Sequence, residues 1–106
     1  SNMLVKMTMG VAYGSDVEKV RSVFYDIIKS NDLVLKYPEP SVRFNEYGDS
    51  SLDFGLYMWI KSPSDRIRLI DMINSRIAEE FEKEGIEIPF PTRTLYIKNQ
   101  EESIPK

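Results

Sequence analysis

Carboxylates are the main groups with which this 106-residue sequence could carry out acid–base or metal chemistry, since it has 17 Asp and Glu but no histidine or cysteine. The lack of histidine removes the commonest general base, the Ser-His-Asp arrangement and most zinc sites. The lack of cysteine excludes a disulfide framework. Carboxylates alone could hold a hard cation, but no calcium-loop spacing is present. We therefore predict no catalytic residue, no metal site and no cofactor.

The loop Tyr13-Gly14-Ser15-Asp16 follows a strand-like segment and precedes a helix-like one, where many proteins bind phosphate. An enzyme of the acylphosphatase type would need an arginine in this loop. The sequence has an acid instead, so Asp16 or Glu18 would complement the positive end of the helix dipole. We therefore predict that Asp16 stabilises its own helix.

The formal net charge of −3 argues against a nucleic-acid partner, because surfaces that bind nucleic acid are usually basic. It also argues against a polybasic membrane patch. No apolar run is long enough to cross a bilayer. Ser1 and Asn2 precede Met3 as a cloning remnant would, so residues 1–3 are set aside. Membrane contact would then come only through helices upstream of this chain.

Period-two alternation of apolar residues predicts four strands. They lie within Leu4–Tyr13, around Val42–Phe44, over Leu52–Ile60 and over Ile86–Phe90. Between them, helical spacing of apolar residues predicts two helices. The first begins with a capping box of Ser15 and Glu18. The second ends at Gly85 and buries a stripe of Ile67, Ile70, Ile73, Ile77 and Phe81.

The resulting order, β-α-β-β-α-β, predicts an α+β protein with a ferredoxin-like sandwich, in which two helices cover one face of a four-stranded antiparallel-type sheet. Strands one and three would be central, with strand four beside strand one. This domain would span residues 4–91. A further extended strand, 92–98, and a polar tail, 99–106, would follow it.

Two prolines two residues apart, Pro89 and Pro91, leave one side of the fourth strand without backbone donors. We predict that this side is the outer one, so that Ile88 and Phe90 pair with strand one. The apolar residues are even-numbered before the prolines and odd-numbered after them, so one flat strand cannot bury both sets. The segment Thr92–Lys98 would fold back or fray, or would pair with other copies of the chain.

Four motifs, taken in order, resemble one known family: GVAYGSD at residues 10–16, YPEPSV at 37–42, GDSSLDFGLYMWI at 48–60 and GIEIPFPTRT at 85–94. They are similar to the C-terminal cytosolic domain of the small-conductance mechanosensitive channel (MscS-like) family. The resemblance covers the chain from Met7 to Ile97. Its last motif, in which a helix ends in Gly-Ile-Glu-Ile-Pro-Phe-Pro, is the most specific.

The resemblance implies a homo-heptameric channel in the cell membrane, with this domain forming the wall of a cage on the cytoplasmic side. The cage would support assembly and filter permeating ions and small solutes during osmotic tension release, with no enzymatic activity. By resemblance, one strand per subunit forms a parallel barrel on the symmetry axis. That strand would comprise Thr92, Arg93, Thr94, Leu95, Tyr96 and Ile97, and the strand switch would be Pro89, Phe90 and Pro91.

Tyr57 and Trp59 lie on the face of the third strand opposite its apolar residues. Aromatic residues are enriched at interfaces, so we predict a subunit contact there. The alternative is that a loop or Lys6 covers them. An RNA-recognition module stacks bases on such aromatics, but strand one offers no aromatic partner. The alternative function for the whole chain is a ferredoxin-like regulatory module that binds a small molecule.

Overall fold

The strongest alternating segment, β3 (Leu52–Ile60), lies at the centre of an antiparallel sheet. In this computed structural model, which describes residues 2–90, β1 (Met3–Val11) pairs with one side of β3 and β2 (Ser41–Tyr47) with the other. The helices are α1 (Val17–Lys29) and α2 (Arg66–Glu84), and a 3-10 turn (Pro63–Asp65) precedes α2. The predicted α+β architecture with an antiparallel sheet and two helices is confirmed.

The core lies between one face of the sheet and the two helices. The apolar residues that alternate along β3 are all buried, at 4% exposure or less: Leu52, Phe54, Leu56, Met58 and Ile60. Phe24 of α1 joins the layers, because its ring lies 5.6 Å from that of Phe54 on β3 and 5.4 Å from that of Phe81 on α2. The buried residues of α1 recur at helical spacing: Val20, Phe24, Ile27 and Ile28.

The N-cap of α1 is Asp16, which corrects the predicted capping box of Ser15 and Glu18. The Asp16 carboxylate accepts the Lys19 backbone N–H at 3.1 Å. Ser15 is occupied elsewhere, because its hydroxyl donates to the Ala12 carbonyl at 2.7 Å. Two adjacent residues could each cap this helix, and the turn at Gly14 (φ 93°) decides between them.

The predicted stripe of α2 is correct except at Ile67, and Ile70 packs against the core while remaining partly exposed. Ile73, Ile77 and Phe81 are buried, but Ile67 is 79% exposed and Leu69 is fully buried. The spacing 69, 73, 77 and 81 keeps one residue every four along the core face. Leu69 was missed because alternating arginines and aliphatics at 66–70 fit two helix faces equally well. Gly85 ends the helix in the left-handed conformation (φ 69°), as predicted.

The segment after α2 makes a single backbone hydrogen bond to β1 within residues 2–90, from the Ala12 N–H to the Glu87 carbonyl at 2.9 Å. No strand is assigned over 86–90, so the described sheet has three strands rather than four. The Glu87 carbonyl therefore points toward the C-terminal end of β1. The orientation predicted for the two prolines stays a prediction.

The two residues predicted to pair with strand one, Ile88 and Phe90, both have accessible side chains. Ile88 is 49% exposed and Phe90 is 84% exposed. Pro91 and the predicted segments 92–98 and 99–106 lie outside the described residues.

The outer edge of β2 is covered by side chains of α1. The Tyr25 hydroxyl accepts the Val42 N–H at 3.1 Å, and the Arg21 guanidinium donates to the Val42 carbonyl at 2.9 Å. Glu18 holds Arg21 in place at 3.1 Å. Both backbone groups of Val42 are thus satisfied without another strand, which blocks strand addition at this edge.

Replacing Asp16 with alanine removes the oxygen that accepts the Lys19 N–H, so we expect the free energy of unfolding to fall by about 1 kcal/mol. Asp16→Asn keeps an acceptor and should retain most of that stability. Urea denaturation followed by circular dichroism measures both variants. A larger loss for Ser15→Ala than for Asp16→Ala would contradict the assignment of the cap.

Leu69→Ala should destabilise the protein by about 2–5 kcal/mol, because it leaves a cavity in the core. Ile67→Ala, two residues away on the same helix, should change the free energy of unfolding by less than about 0.5 kcal/mol. The pair is matched in chemistry and differs only in burial. Urea midpoints in the opposite order would show that the helix presents the other face to the sheet.

Candidate assembly surface

The sheet face opposite the helices carries a patch of mixed aromatic, aliphatic and cationic side chains. Cross-strand pairing sets Lys6 opposite Tyr57 and Leu4 opposite Trp59, while β2 contributes from the other side. Both helices pack on the opposite sheet face, so neither covers this one. We call this patch the open face; it comprises Leu4, Lys6, Arg43, Asn45, Tyr57 and Trp59.

Tyr57 is held at the centre of the open face by residues from both neighbouring strands. Its hydroxyl accepts a hydrogen bond from the Asn45 amide at 2.9 Å. The Lys6 ammonium lies 5.8 Å from the ring centroid and the Arg43 guanidinium carbon 5.4 Å from it, both within cation–π range. Gly55 leaves the space that the hydroxyl occupies, because a Cβ there would collide with it.

Tyr57 is partly covered within its own chain, and the predicted subunit contact there stays a prediction. Lys6 does lie over the ring, as the alternative of a covered aromatic expects, and Tyr57 nevertheless remains partly exposed. The roles of Arg43, Asn45 and Gly55 were missed. Alternation along β2 could have put Arg43 on this face, but its approach to Tyr57 depends on strand register.

Trp59 is partly buried and lies near the end of β3, beside Leu4, which is 46% exposed. The loop that follows α1 is fastened to the same end of the strand. The Leu35 N–H donates to the Trp59 carbonyl at 2.8 Å, and Val34 forms an isolated bridge with Ile60. This end of the open face is thus apolar and fixed in backbone geometry.

The two cations of the open face have no carboxylate partner within residues 2–90, whereas ion pairs are common on the helices. On α2, Arg76 contacts Glu79 and Glu80, and Lys83 contacts Glu80 at 3.3 Å. The hydrogen bond from Lys83, with the added charge of Arg76, lowers the pKa of Glu80. Lys6 and Arg43 thus form a local positive region around Tyr57, while Asp53 lies further along the same face of β3. Much of the acidic charge of α2 is neutralised locally.

The exit segment Ile86–Phe90 is the second candidate contact region. Ile86 packs against the core, Pro89 is partly buried, and Phe90 is strongly exposed. The remaining predicted interface residues, Thr92 to Ile97, and Pro91 of the strand switch lie outside the described part of the chain. The structure thus brings Tyr57 and Trp59 onto one surface and leaves the terminal strand as a prediction.

The described residues offer little for catalysis or ion binding. Across residues 2–90, no polar or charged side chain is buried, and no group of three or more acidic side chains could hold a metal. A cleft of about 280 Å³ beside Tyr13 and Ser15 is bordered by Glu87. Neither of the helices in the described range has the length and apolarity needed to cross a membrane.

Comparison with known proteins gives a consistent result. The sequence profile of the family described as "Mechanosensitive ion channel MscS, C-terminal" matches residues 5–88. The chain is 38% identical over 99 residues to the small-conductance mechanosensitive channel MscMJ of Methanocaldococcus jannaschii, covering 89% of this chain and 28% of that one. It is 34% identical over 92 residues to the mechanosensitive channel MscK of Escherichia coli, covering 87% of this chain and 8% of that one.

A solved structure is similar as well. The closed-state crystal structure of Helicobacter pylori MscS superimposes with a TM-score of 0.82 at 29% identity, over 93% of this chain and 39% of that one. The large-conductance channel MscMJLR of M. jannaschii is 39% identical over 107 residues, which span 29% of its length. The chain thus spans less than a third of the length of these archaeal relatives.

Tyr57→Phe removes only the bond from the Asn45 amide, so we expect it to cost less than about 1 kcal/mol of stability. Tyr57→Ala also removes two cation–π contacts, each worth about 0.5–1 kcal/mol at an exposed site, and should cost about 1–3 kcal/mol. Urea denaturation of the two variants separates the contributions. Equal losses would mean that the ring contributes nothing beyond its hydroxyl.

Proposed function

Because this chain belongs to the MscS family of mechanosensitive ion channels, as the family's C-terminal domain, we propose that it forms the cytosolic vestibule of a homo-heptameric channel. In this role it supports subunit assembly and filters the solutes that approach the pore during osmotic tension release. The observation that carries the proposal is the family match over residues 5–88, nearly all of the described fold. This match favours the channel domain over a small-molecule-binding regulatory module.

The proposed role of the domain is limited by the fraction of a channel subunit that it covers. The domain aligns with 39% of the H. pylori MscS chain, so the rest of a similar subunit would supply the pore and the tension sensor. The domain itself would contribute a rigid wall, since its core is continuous from the sheet to both helices. No enzymatic step is assigned to it.

Assembly is supported by the apolar surface that a single copy leaves accessible. Phe90 is 84% exposed and Ile88 49% exposed, and fully burying side chains of this size stabilises a contact by about 1.5–3 kcal/mol each. The segment that follows them, Thr92 to Ile97, has β-favouring residues and no proline. We propose that it forms the barrel strand, and that Pro89, Phe90 and Pro91 are where the chain leaves its own domain.

Filtering by the vestibule would depend on size more than on charge. Glu79 and Glu80 of α2 pair with Arg76, and Lys83 pairs with Glu80, all on the same helix. Glu84 pairs with Lys19 across to α1 at 3.7 Å. Paired carboxylates present a weak field to ions beyond the Debye length of about 8 Å at physiological salt. The wall would thus exclude large solutes with little preference among small ions.

A stop codon after Pro91 in the full-length channel protein should weaken or abolish the oligomer, because it removes the proposed barrel strand. A stop after Lys98 removes only the polar tail and is the matched control, which should remain heptameric. Light scattering on the detergent-solubilised complexes gives the number of subunits. An unchanged heptamer after the first truncation would exclude an essential role for residues 92–98.

The channel assignment has its own test, which is independent of the terminal strand. The full-length protein in a membrane patch should conduct when suction is applied, and cells that lack other such channels should survive a sudden fall in external osmolarity. A full-length protein that is monomeric, or that never conducts under tension, would contradict the proposed function as a whole.

A further inference from the structure

The outward surface of α2 carries an exposed apolar residue and an unpaired acid one helical turn apart. Ile67 is 79% exposed, and Asp71 is exposed with no cationic partner within residues 2–90. Its nearest basic neighbour along the chain, Arg68, is held by Asp65 at 3.2 Å. We call Ile67 and Asp71, together with the small residue Ala78 on the same side of the helix, the outer stripe of α2.

The open face has the complementary composition. It is apolar at one end, where Leu4 lies beside Trp59, and positively charged in the middle, where Lys6 and Arg43 flank Tyr57. Both cations lack a carboxylate within residues 2–90. Tyr, Trp and Arg are the residues that most often dominate the energy of protein interfaces. The face therefore suits a partner that presents one apolar side chain and one carboxylate.

The spacing of the two surfaces also agrees. Residues four apart on a helix are separated by about 6 Å along its axis. Residues two apart on a strand, such as Tyr57 and Trp59, are separated by about 6.7 Å. We propose that the outer stripe of one copy packs on the open face of the next, with Ile67 against Trp59 and Leu4. Asp71 then lies between Lys6 and Arg43.

The contact so formed is head-to-tail. The outer stripe and the open face lie on opposite sides of one domain, because the helices and the open face flank the sheet. A contact between two different surfaces generates a closed ring when the rotation per copy closes. The proposal deepens the proposed function and rests on it, since it names the surfaces through which neighbouring vestibule domains touch.

Cysteine cross-linking tests the contact in the full-length oligomer, because this chain contains no cysteine. Leu4→Cys combined with Ile67→Cys, with any cysteine outside this chain replaced by serine, should give a ladder above the dimer on non-reducing gels after oxidation. A disulfide needs Cβ atoms about 3.8 Å apart. The matched control combines Leu4→Cys with Lys36→Cys, an exposed loop position, and should remain monomeric on the gel.

The outcomes separate this proposal from the one on which it rests. An intact heptamer whose Leu4/Ile67 variant does not cross-link overturns the head-to-tail contact and leaves the vestibule function standing. Dimers from Leu4→Cys alone would show open face packed on open face, which also overturns it. A full-length protein that is monomeric before oxidation contradicts the proposed function itself.

Charge exchange tests the ionic half of the contact. Lys6→Glu or Asp71→Lys alone should lower the cross-linking yield about fivefold, the scale of one partly exposed ion pair. The double variant Lys6→Glu/Asp71→Lys should recover most of the yield, because the pair is restored with reversed sign. Lys36→Glu should have no effect. Equal losses in the single and double variants would show that Lys6 and Asp71 do not meet.

Discussion

The requirement that backbone groups at the edge of a sheet find partners governs this structure. β3 meets it with a strand on each side, and β2 meets it through Arg21 and Tyr25, which bind the two backbone groups of Val42. At β1, the Ala12 N–H binds the Glu87 carbonyl. Two residues further along, Pro89 has no N–H to donate.

The aromatic contacts at Phe24 make this edge arrangement possible. Phe24 packs on Phe54 of the central strand and on Phe81 of α2, so it fixes both helices on the same sheet face. With α1 held there, Arg21 and Tyr25 reach the edge of β2. The opposite sheet face is left without a covering element in the described part of the chain, which is why Tyr57 and Trp59 remain partly accessible.

Elements whose patterns depend on burial alone were predictable from the sequence. The alternation of β3 identified all five of its buried apolar side chains, since a central strand must bury one complete face. Features for which two nearby residues were equally suitable could not be predicted from the sequence. Ser15 and Asp16 can both cap a helix, and Ile67 and Leu69 can both begin an apolar stripe. The approach of Lys6 and Arg43 to Tyr57 depends on strand register, which no local pattern encodes.

The proposed assembly follows from the charged and apolar side chains that a single copy leaves without partners, rather than from its core. Within residues 2–90, the core comprises 17 buried apolar side chains from the sheet and both helices. In the same range, Lys6 and Arg43 on the open face form no ion pair with a carboxylate, Asp71 on α2 forms none with a cation, and Phe90 of the exit segment is exposed. Each of these costs little in an isolated copy, because exposed charges are solvated and one exposed aromatic is tolerated. In the proposed ring, the same features would become the contacts between neighbouring copies.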